Sequence, residues 1–144
     1  MKHGLFIATA CMLLSYSAIA QKSATDLVKQ AKSGIENLTP EKANQELSNG
    51  EIVLVDVREA EELQKGSIPG ALNAPRGMLE FYADPTLPYY KSEFNKDKRI
   101  ILYCASGGRS ALAAQTLKDM GYTNVAHIDG GFKAWQAASL PTTK

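Results

Sequence analysis

One cysteine stands where a strand-like segment meets a helix-like segment. The apolar run 99–103 leads into Cys104, and an alanine-rich helical pattern begins at Ala111. At such a strand-to-helix turn, several backbone N–H groups and the positive end of the helix point at one spot and hold an anion there. A cysteine thiolate, which is the nucleophilic form, and an oxyanion substrate both fit this environment. The loop consists of Cys104, Ala105, Ser106, Gly107, Gly108, Arg109 and Ser110.

The composition of this loop favours an activated cysteine. Gly107 and Gly108 let the backbone curl so that its amides converge, because glycine adopts positive φ at no steric cost. The helix N-terminus and the nearby Arg109 both favour a charged sulfur, so we expect Cys104 to be substantially ionised at neutral pH and reachable from solvent. The alternative is an inert cysteine at the end of a core strand, which the Gly-Gly-Arg sequence before a helix disfavours.

The first 20 residues have the pattern of an export signal. A short basic start at 1–3 precedes an apolar run at 5–14, and small residues end in an A-x-A cleavage form at 18–20. We predict cleavage after Ala20, a periplasmic location and no stable membrane insertion of the mature chain. The alternatives are lipid attachment at Cys11 and a retained anchor, for which the run is shorter than the roughly 20 residues that span hydrocarbon.

Length, charge and cysteine content limit the possible classes. The 144 residues, 44% hydrophobic and 22% charged, correspond to one ordinary globular domain. The 16 basic and 15 acidic side chains nearly balance, so we expect no nucleic-acid partner recruited through bulk charge. Two cysteines, Cys11 and Cys104, cannot form a disulfide framework or a four-cysteine metal site. Without a ligand-spaced cluster, His127 is assigned a structural role and no metal is expected.

Alternating strand and helix patterns position the cysteine. Continuous apolar runs at 52–55, 100–103 and 125–128 are typical of parallel strands covered on both faces, and helical patterns follow each. Capping signals predict an N-terminal helix behind Ser23 and a second helix at about 40–48. The alternation predicts an α/β fold with a mainly parallel, doubly wound central sheet and helices on both faces.

The segments between the strong strands are less regular. Residues 59–65 predict a short helix, and 66–73 predict a turn that feeds a short strand. Residues 77–96 read as a long excursion with limited helix at its ends. Its aromatic side chains could cover the domain's own core, which we favour, or contact a neighbouring chain. Trp135, at helical spacing, is assigned to the core.

Four motifs of this chain resemble those of the rhodanese-family sulfurtransferases, and they follow in the family's order. The cysteine loop resembles the family's active-site loop. The others are Asp56-Val57-Arg58-Glu59, like its D-x-R-x-x-x-E-[FY] start, Gly66-Ser67-Ile68-Pro69-Gly70-Ala71, like its G-H-I-P-G-A turn, and 129–135, like its closing G-G-x-x-A-W. The resemblance implies a rhodanese-like α/β domain at 38–144, preceded by a helical extension at 21–37, with the cysteine loop at the carboxyl edge of the sheet.

The resemblance also implies the reaction. Cys104 would attack the outer sulfur of a small anionic donor such as thiosulfate, expel sulfite and hold a persulfide until a small-molecule or protein thiol removes it, without a metal or organic cofactor. Four residues separate Cys104 from Arg109, whereas cysteine phosphatases of related fold have five, and the shorter loop suits a sulfur atom better. A non-catalytic binding module and a cysteine-dependent phosphatase or arsenate reductase are the alternatives.

The roles of four neighbouring charged residues and of one serine are less constrained. Arg109 could bind the anionic part of the donor or pair with a carboxylate to hold the loop. Asp56 and Arg58 resemble structural residues that tie loops together by an ion pair or hydrogen bonds. Arg76 could be an anion contact at the pocket mouth or a solvated surface charge. Ser67 stands where the family usually has histidine, which removes any capping role of that histidine.

Overall fold

The structure is a computed structural model that describes residues 21–144. The predicted signal segment lies outside the described residues. Within residues 21–144, no helix is long and apolar enough to cross a membrane. The helices are α1 (Ala24–Gly34), α2 (Pro40–Asn49), α3 (Ala60–Leu63), α4 (Leu79–Ala83), α5 (Gly108–Asp119) and α6 (Gly131–Ala137). The strands are β1 (Glu36–Leu38), β2 (Ile52–Asp56), β3 (Leu72–Asn73), β4 (Arg99–Tyr103) and β5 (Val125–Ile128), and a 3₁₀ turn spans Arg76–Met78.

The five strands form one parallel sheet in the order β1-β5-β4-β2-β3. The central strand β4 pairs with β2 and with β5, so that Ile100 lies opposite Val53 and Val125. Because the carboxyl ends of parallel strands meet at one edge, the segments after β2, β4 and β5 lie side by side there. The predicted parallel sheet is confirmed, and Cys104 follows its central strand.

Helices cover both faces of the sheet, as predicted. Successive β4 residues point to opposite faces, because side chains alternate along a strand. Ile100 and Leu102 pack in a core cluster with the buried face of α5, and Ile101 and Tyr103 pack in a second cluster with α2 and α6. The N-terminal helix α1 packs against α5.

The capping signals begin their helices at the predicted residues. Ser23 and Asp26 form a capping box, in which the Asp26 amide donates to Ser23 Oγ at 3.1 Å and the Ser23 amide donates to Asp26 Oδ2 at 3.0 Å. Thr39 Oγ1 accepts the Lys42 amide at 3.2 Å, and Pro40 occupies the first turn of α2. Local side-chain chemistry therefore sets both starts.

One segment differs from the sequence-based expectation, and a second agrees with it. Strand β1 was not predicted, and the expected domain boundary between residues 37 and 38 falls inside it. Three residues are too few to show a periodicity, and the strand exists through its pairing with β5. The excursion 77–96 contains the short helix α4. Of its aromatic side chains, Phe94 is buried in the core, Tyr82 and Tyr90 pack against the core, and Phe81 and Tyr89 are exposed.

Candidate active site

The loop after β4 wraps the sulfur of Cys104 with backbone amides. The Gly107 amide donates to Cys104 Sγ at 3.1 Å, and the Ser110 amide donates to the same atom at 3.4 Å. Gly107 has a φ of +97°, and this left-handed conformation turns the chain into α5. Converging amides of this kind stabilise negative charge on the atom that they surround.

The first turn of α6 holds the outer side of the same loop. The Phe132 amide donates to the Cys104 carbonyl oxygen at 2.7 Å, and the Lys133 amide donates to the Ala105 carbonyl oxygen at 3.0 Å. Gly131 has a φ of +62°, and a Cβ at this position would overlap the Cys104 carbonyl oxygen. Gly130 and Gly131, at the start of α6, therefore permit α6 to approach the cysteine loop closely. Amides of α6 bind two carbonyl oxygens of the loop, and two amides of the loop bind the sulfur.

The exposure of Cys104 corrects one expectation. We predicted a thiol reachable from solvent, but Cys104, a free cysteine, has only 1% of its surface exposed. The reason is that Cys104 packs in the core cluster with apolar residues such as Val57 and Ala74, while the loop amides also approach its sulfur. Of the loop residues, Ser106 is exposed and Ala105 is half-buried. A reagent has to reach a sulfur that lies beneath the loop.

Arg109 forms a two-point ion pair with Glu62 of α3. Its two terminal nitrogens donate to the two carboxylate oxygens at 2.7 and 2.8 Å. These hydrogen bonds lower the pKa of Glu62 to about 2. They also raise the pKa of Arg109 above its usual range, with a smaller contribution from negative charge on Cys104. Arg109 therefore lies beside the sulfur and is paired with a carboxylate.

Glu62 is the site residue that sequence reasoning missed. The quoted pattern D-x-R-x-x-x-E, counted from Asp56, places its glutamate at position 62, so the signal was present in the sequence. Leu63 stands where the pattern has Phe or Tyr. The partner of Arg109 could have been found by counting the motif to its end.

Asp56 and Arg58 form a buried ion pair at the end of β2. The Arg58 Nη2 atom donates to Asp56 Oδ2 at 2.6 Å and to the Gly66 carbonyl oxygen at 2.9 Å. The guanidinium also lies 4.4 Å from the centre of the Phe132 ring. Burial opposes the charge of Arg58, but the hydrogen bonds that it donates to Asp56 still raise its pKa above the usual range. These contacts join β2, the turn at 66–71 and α6.

Arg76 lies away from the cysteine loop. Its guanidinium donates to both oxygens of Glu80 at 2.9 and 3.1 Å, and to Thr116 Oγ1 at 2.9 Å. Thr116 lies two turns along α5 from the loop, because a helix has 3.6 residues per turn. The structure therefore places Arg76 in a groove between α1 and α5. The role of Arg76 as an anion contact at the mouth of the Cys104 site stays a prediction, and in this structure its guanidinium binds Glu80 and Thr116.

Ser67 forms hydrogen bonds with the C-terminal tail. Its hydroxyl lies 2.8 Å from the Thr143 hydroxyl, its amide donates to Thr143 Oγ1 at 3.1 Å, and the Thr143 amide donates to the Ser67 carbonyl oxygen at 2.8 Å. Trp135 Nε1 donates to the Pro141 carbonyl oxygen at 2.8 Å, which anchors the tail from the other side. The tail residues thus cover the turn that departs from the family's usual histidine.

His127 is buried beneath the first turn of α5. Its ring nitrogens lie 3.0 Å from Ser110 Oγ and 2.9 Å from Asn37 Oδ1. Across residues 21–144, no group of three or more His, Cys, Asp and Glu side chains is arranged to hold a metal ion. Both ring nitrogens are therefore engaged by protein hydrogen bonds.

The fold and the loop define a class, namely a parallel α/β domain with a cysteine held by amides at the carboxyl edge of its central strand. A family profile described as a rhodanese-like domain matches residues 39–138, and the chain belongs to this family. Sulfur transfer is the activity named for two of its curated relatives. A sulfurtransferase of Allochromatium vinosum is 34% identical over 108 residues, which cover 74% of this chain and 94% of the relative. Thiosulfate sulfurtransferase 16 of Arabidopsis thaliana is 40% identical over 61% of this chain and 77% of the relative.

Solved structures agree on the architecture. A Rhodopseudomonas palustris protein of unknown function, described as a possible tyrosine phosphatase, is 43% identical with a TM-score of 0.81, covering 86% of this chain and 96% of its own. The polysulfide-sulfur transferase homodimer of Wolinella succinogenes is 31% identical with a TM-score of 0.65, covering 81% of this chain and 83% of its own. The rhodanese-like fold is therefore shared with proteins that carry different functional descriptions.

Proposed function

We propose that the protein is an exported sulfurtransferase that moves a sulfane sulfur from a small anionic donor such as thiosulfate to a thiol, through a persulfide on Cys104. In the first step the Cys104 thiolate attacks the outer sulfur of thiosulfate. A bond forms between Sγ and that sulfur, the sulfur–sulfur bond of the donor breaks, and sulfite leaves with the bonding electron pair. One anionic sulfur remains on the enzyme as a persulfide.

The second step returns the enzyme to its starting state. The thiolate of a small molecule or of a protein attacks the outer persulfide sulfur, and the Cys104 thiolate leaves. The product is the persulfide of the acceptor, so charge and atoms balance in both steps. Each half-reaction leaves the enzyme with a single negative charge on sulfur, which is the covalent ping-pong pattern. Because the nucleophile is an anion throughout, the chemistry requires no general base.

The observation that carries this proposal is the approach of the Gly107 and Ser110 amides to Cys104 Sγ at 3.1 and 3.4 Å. Preorganised donors stabilise an anion without reorganising during the reaction. Arg109, beside the sulfur, is half-buried, and its partner Glu62 could yield to the anionic part of a donor. The names of the relatives support sulfur transfer as the reaction type.

Intact mass measurement after incubation with thiosulfate tests the proposal. We expect one sulfur atom to be added to the wild-type protein, with release of an equal amount of sulfite, and none to be added to Cys104→Ser. Addition of cyanide or of a small thiol should remove the added sulfur. The same samples should be assayed for hydrolysis of a phosphate monoester.

The outcomes separate the three candidate functions. An unmodified wild-type protein that hydrolyses the phosphate ester in a Cys104-dependent way would favour the phosphatase. A protein inert in both assays, and inert also toward polysulfide, would favour a non-catalytic binding module. The export part of the proposal has its own test, since the N-terminal sequence of protein recovered from the periplasm should begin at Gln21. A retained N-terminus would contradict it.

A further inference from the structure

A chain of three hydrogen-bonded side chains runs from the N-terminal segment to the cysteine loop. Asn37 lies in β1, His127 in β5 and Ser110 in the first turn of α5. Asn37 Oδ1 lies 2.9 Å from His127 Nε2, and His127 Nδ1 lies 3.0 Å from Ser110 Oγ. His127 and Ser110 are fully buried. The mechanism above makes no use of His127 or Asn37.

The directions of these hydrogen bonds follow from the donors available. The Asn37 amide nitrogen donates to the carbonyl oxygens of Lys32 and Ile35 at 2.8 and 3.1 Å, so its oxygen faces His127 as an acceptor. His127 Nε2 therefore carries a hydrogen and donates it. Burial lowers the pKa of His127 to about 4, so at neutral pH the other nitrogen, Nδ1, is an unprotonated acceptor. The Ser110 hydroxyl then donates to it.

Ser110 is connected to the nucleophile through its own backbone. Its amide is one of the two that donate to Cys104 Sγ, at 3.4 Å. The Gly107 carbonyl oxygen lies 3.3 Å from the Ser110 hydroxyl but receives no hydrogen from it, because the single hydroxyl hydrogen goes to His127. That carbonyl accepts the Ala111 amide of the same turn at 3.1 Å, and the Gly107 amide is the other donor to the sulfur. Holding the Ser110 side chain against β5 therefore holds the first turn of α5, and with it the direction of both amides.

We propose that His127, oriented by Asn37, is a positioning residue that anchors Ser110 and so keeps the Gly107 and Ser110 amides aimed at the Cys104 sulfur. The N-terminal segment, from α1 to β1, is thereby part of the active site although it lies outside the matched family domain at 39–138. The inference rests on the proposed function for its catalytic meaning, but it concerns the charge and reactivity of the sulfur, which are measurable without any sulfur donor.

Other contacts bring the same segment to the loop. Lys32 of α1 pairs with Asp129, which follows β5, and these two charged groups are the ones that face His127. A Cβ placed on Gly108 would lie 3.7 Å from Val28 Cγ2, so the Val28 side chain of α1 lies near the loop. The segment therefore supports the loop both by packing and through the histidine.

The rate of Cys104 alkylation by iodoacetamide at pH 7, taken relative to the limiting rate at high pH where the thiol is fully ionised, tests the proposal, because this relative rate reports the charge of the sulfur and not the access of the reagent to a buried atom. His127→Leu removes both hydrogen bonds at similar size, whereas His127→Asn keeps an acceptor near the position of Nδ1. Since a hydrogen bond to a charged acceptor is worth about 1.5–3 kcal/mol, we expect the leucine variant to react at least about tenfold more slowly. The asparagine variant should recover most of the rate. Ser110→Ala should resemble His127→Leu and serves if that variant fails to fold.

One control distinguishes positioning from loss of stability, and one further variant tests the part of Asn37. Leu117→Ala creates a cavity under the same helix without touching the network, so it should lower the melting temperature and leave the alkylation rate unchanged. Asn37→Ala should slow alkylation in the same direction as His127→Leu. Equal alkylation rates in wild type, His127→Leu and Ser110→Ala would overturn the proposal, even if persulfide formation had been demonstrated. An unchanged alkylation rate in Asn37→Ala would show that the N-terminal segment has no part in positioning the amides.

The tautomer provides a second readout that needs no variant. Nitrogen chemical shifts of the His127 ring should show a neutral imidazole with its hydrogen on Nε2 at pH 7. A hydrogen on Nδ1 would reverse the bond to Ser110 and contradict the proposal. If wild-type protein forms no persulfide but the alkylation and tautomer results hold, the proposed function fails while the positioning role stands.

Discussion

Two arginine–carboxylate pairs flank Cys104 at the same edge of the sheet, and they differ in their access to water. In the Asp56–Arg58 pair the side chains are 1% and 4% exposed, and a backbone carbonyl and an aromatic ring complete the surroundings of the arginine. In the Glu62–Arg109 pair they are 34% and 37% exposed. The donor and acceptor chemistry is the same in both pairs.

The difference in burial assigns different roles to the two pairs. Water cannot solvate a buried charge that loses its partner, so we expect the fold to depend on the Asp56–Arg58 pair. A partly exposed pair gains little stability, because solvent screens it and competes for both partners. Arg109 can therefore exchange Glu62 for a substrate anion at low cost. We therefore assign a structural role to the Asp56–Arg58 pair and expect Arg109 of the exposed pair to bind substrate.

Removing one partner of the buried pair should give the largest effect. Asp56→Asn leaves Arg58 charged and underpaired in the interior, so we expect a loss of about 3–5 kcal/mol in the free energy of unfolding. Urea unfolding measures it, and Asp97→Asn, the same change at an exposed position, should shift the free energy by less than about 0.5 kcal/mol. A loss no larger than in the control would mean that burial does not separate the two pairs.

His127 extends the comparison to a buried group without an ionic partner. Burial lowers its pKa to about 4 from 6.5, so between those values the unfolded chain binds a proton that the folded chain refuses. The contribution of His127 to the free energy of unfolding is therefore fully present above pH 6.5. We expect the free energy of unfolding to fall by about 2–3 kcal/mol between pH 6.5 and 4.5. Glu62, whose pKa falls from 4.5 to about 2 on folding, loses its contribution mainly below pH 4.5. The change of the free energy of unfolding with pH, measured by urea unfolding, should disappear in His127→Asn. If it persists in that variant, His127 is not its cause.

The sequence was sufficient for the parts of the site that depend on local pattern. Apolar runs placed β4 in a parallel sheet, and the residue after it is then Cys104 at the carboxyl edge. What the sequence could not show depends on tertiary approach. Strand β1 exists through its pairing with β5, and the sulfur is covered because Cys104 packs in the apolar core cluster. Arg76 faces Glu80 and Thr116 because α5 passes beneath it.

Arg109→Met should affect activity more than stability. The substitution removes a positive charge beside the sulfur and leaves Glu62 half-exposed, so we expect a change below about 1 kcal/mol in the free energy of unfolding. Sulfur transfer from thiosulfate should fall about tenfold in kcat/KM, since a charge-assisted hydrogen bond is lost. Arg109→Lys keeps the charge but not the two-point geometry, so its kcat/KM should lie between those of the wild type and Arg109→Met. A variant that unfolds as Asp56→Asn does would place both pairs in the same structural role.

Glu62→Gln should give the smallest effects and is the sharpest test of the exposed pair. Because the arginine keeps its charge and one hydrogen-bond acceptor, we expect a loss below about 1 kcal/mol in stability. Freed from a competing carboxylate, Arg109 should bind an anionic donor more readily, so KM for thiosulfate should fall while kcat stays near its wild-type value. The fall in KM should shrink at 1 M salt, where the Debye length is about 3 Å and exposed charges are screened. A KM that rises instead would show that Glu62 holds Arg109 in its productive position and does not compete with the donor.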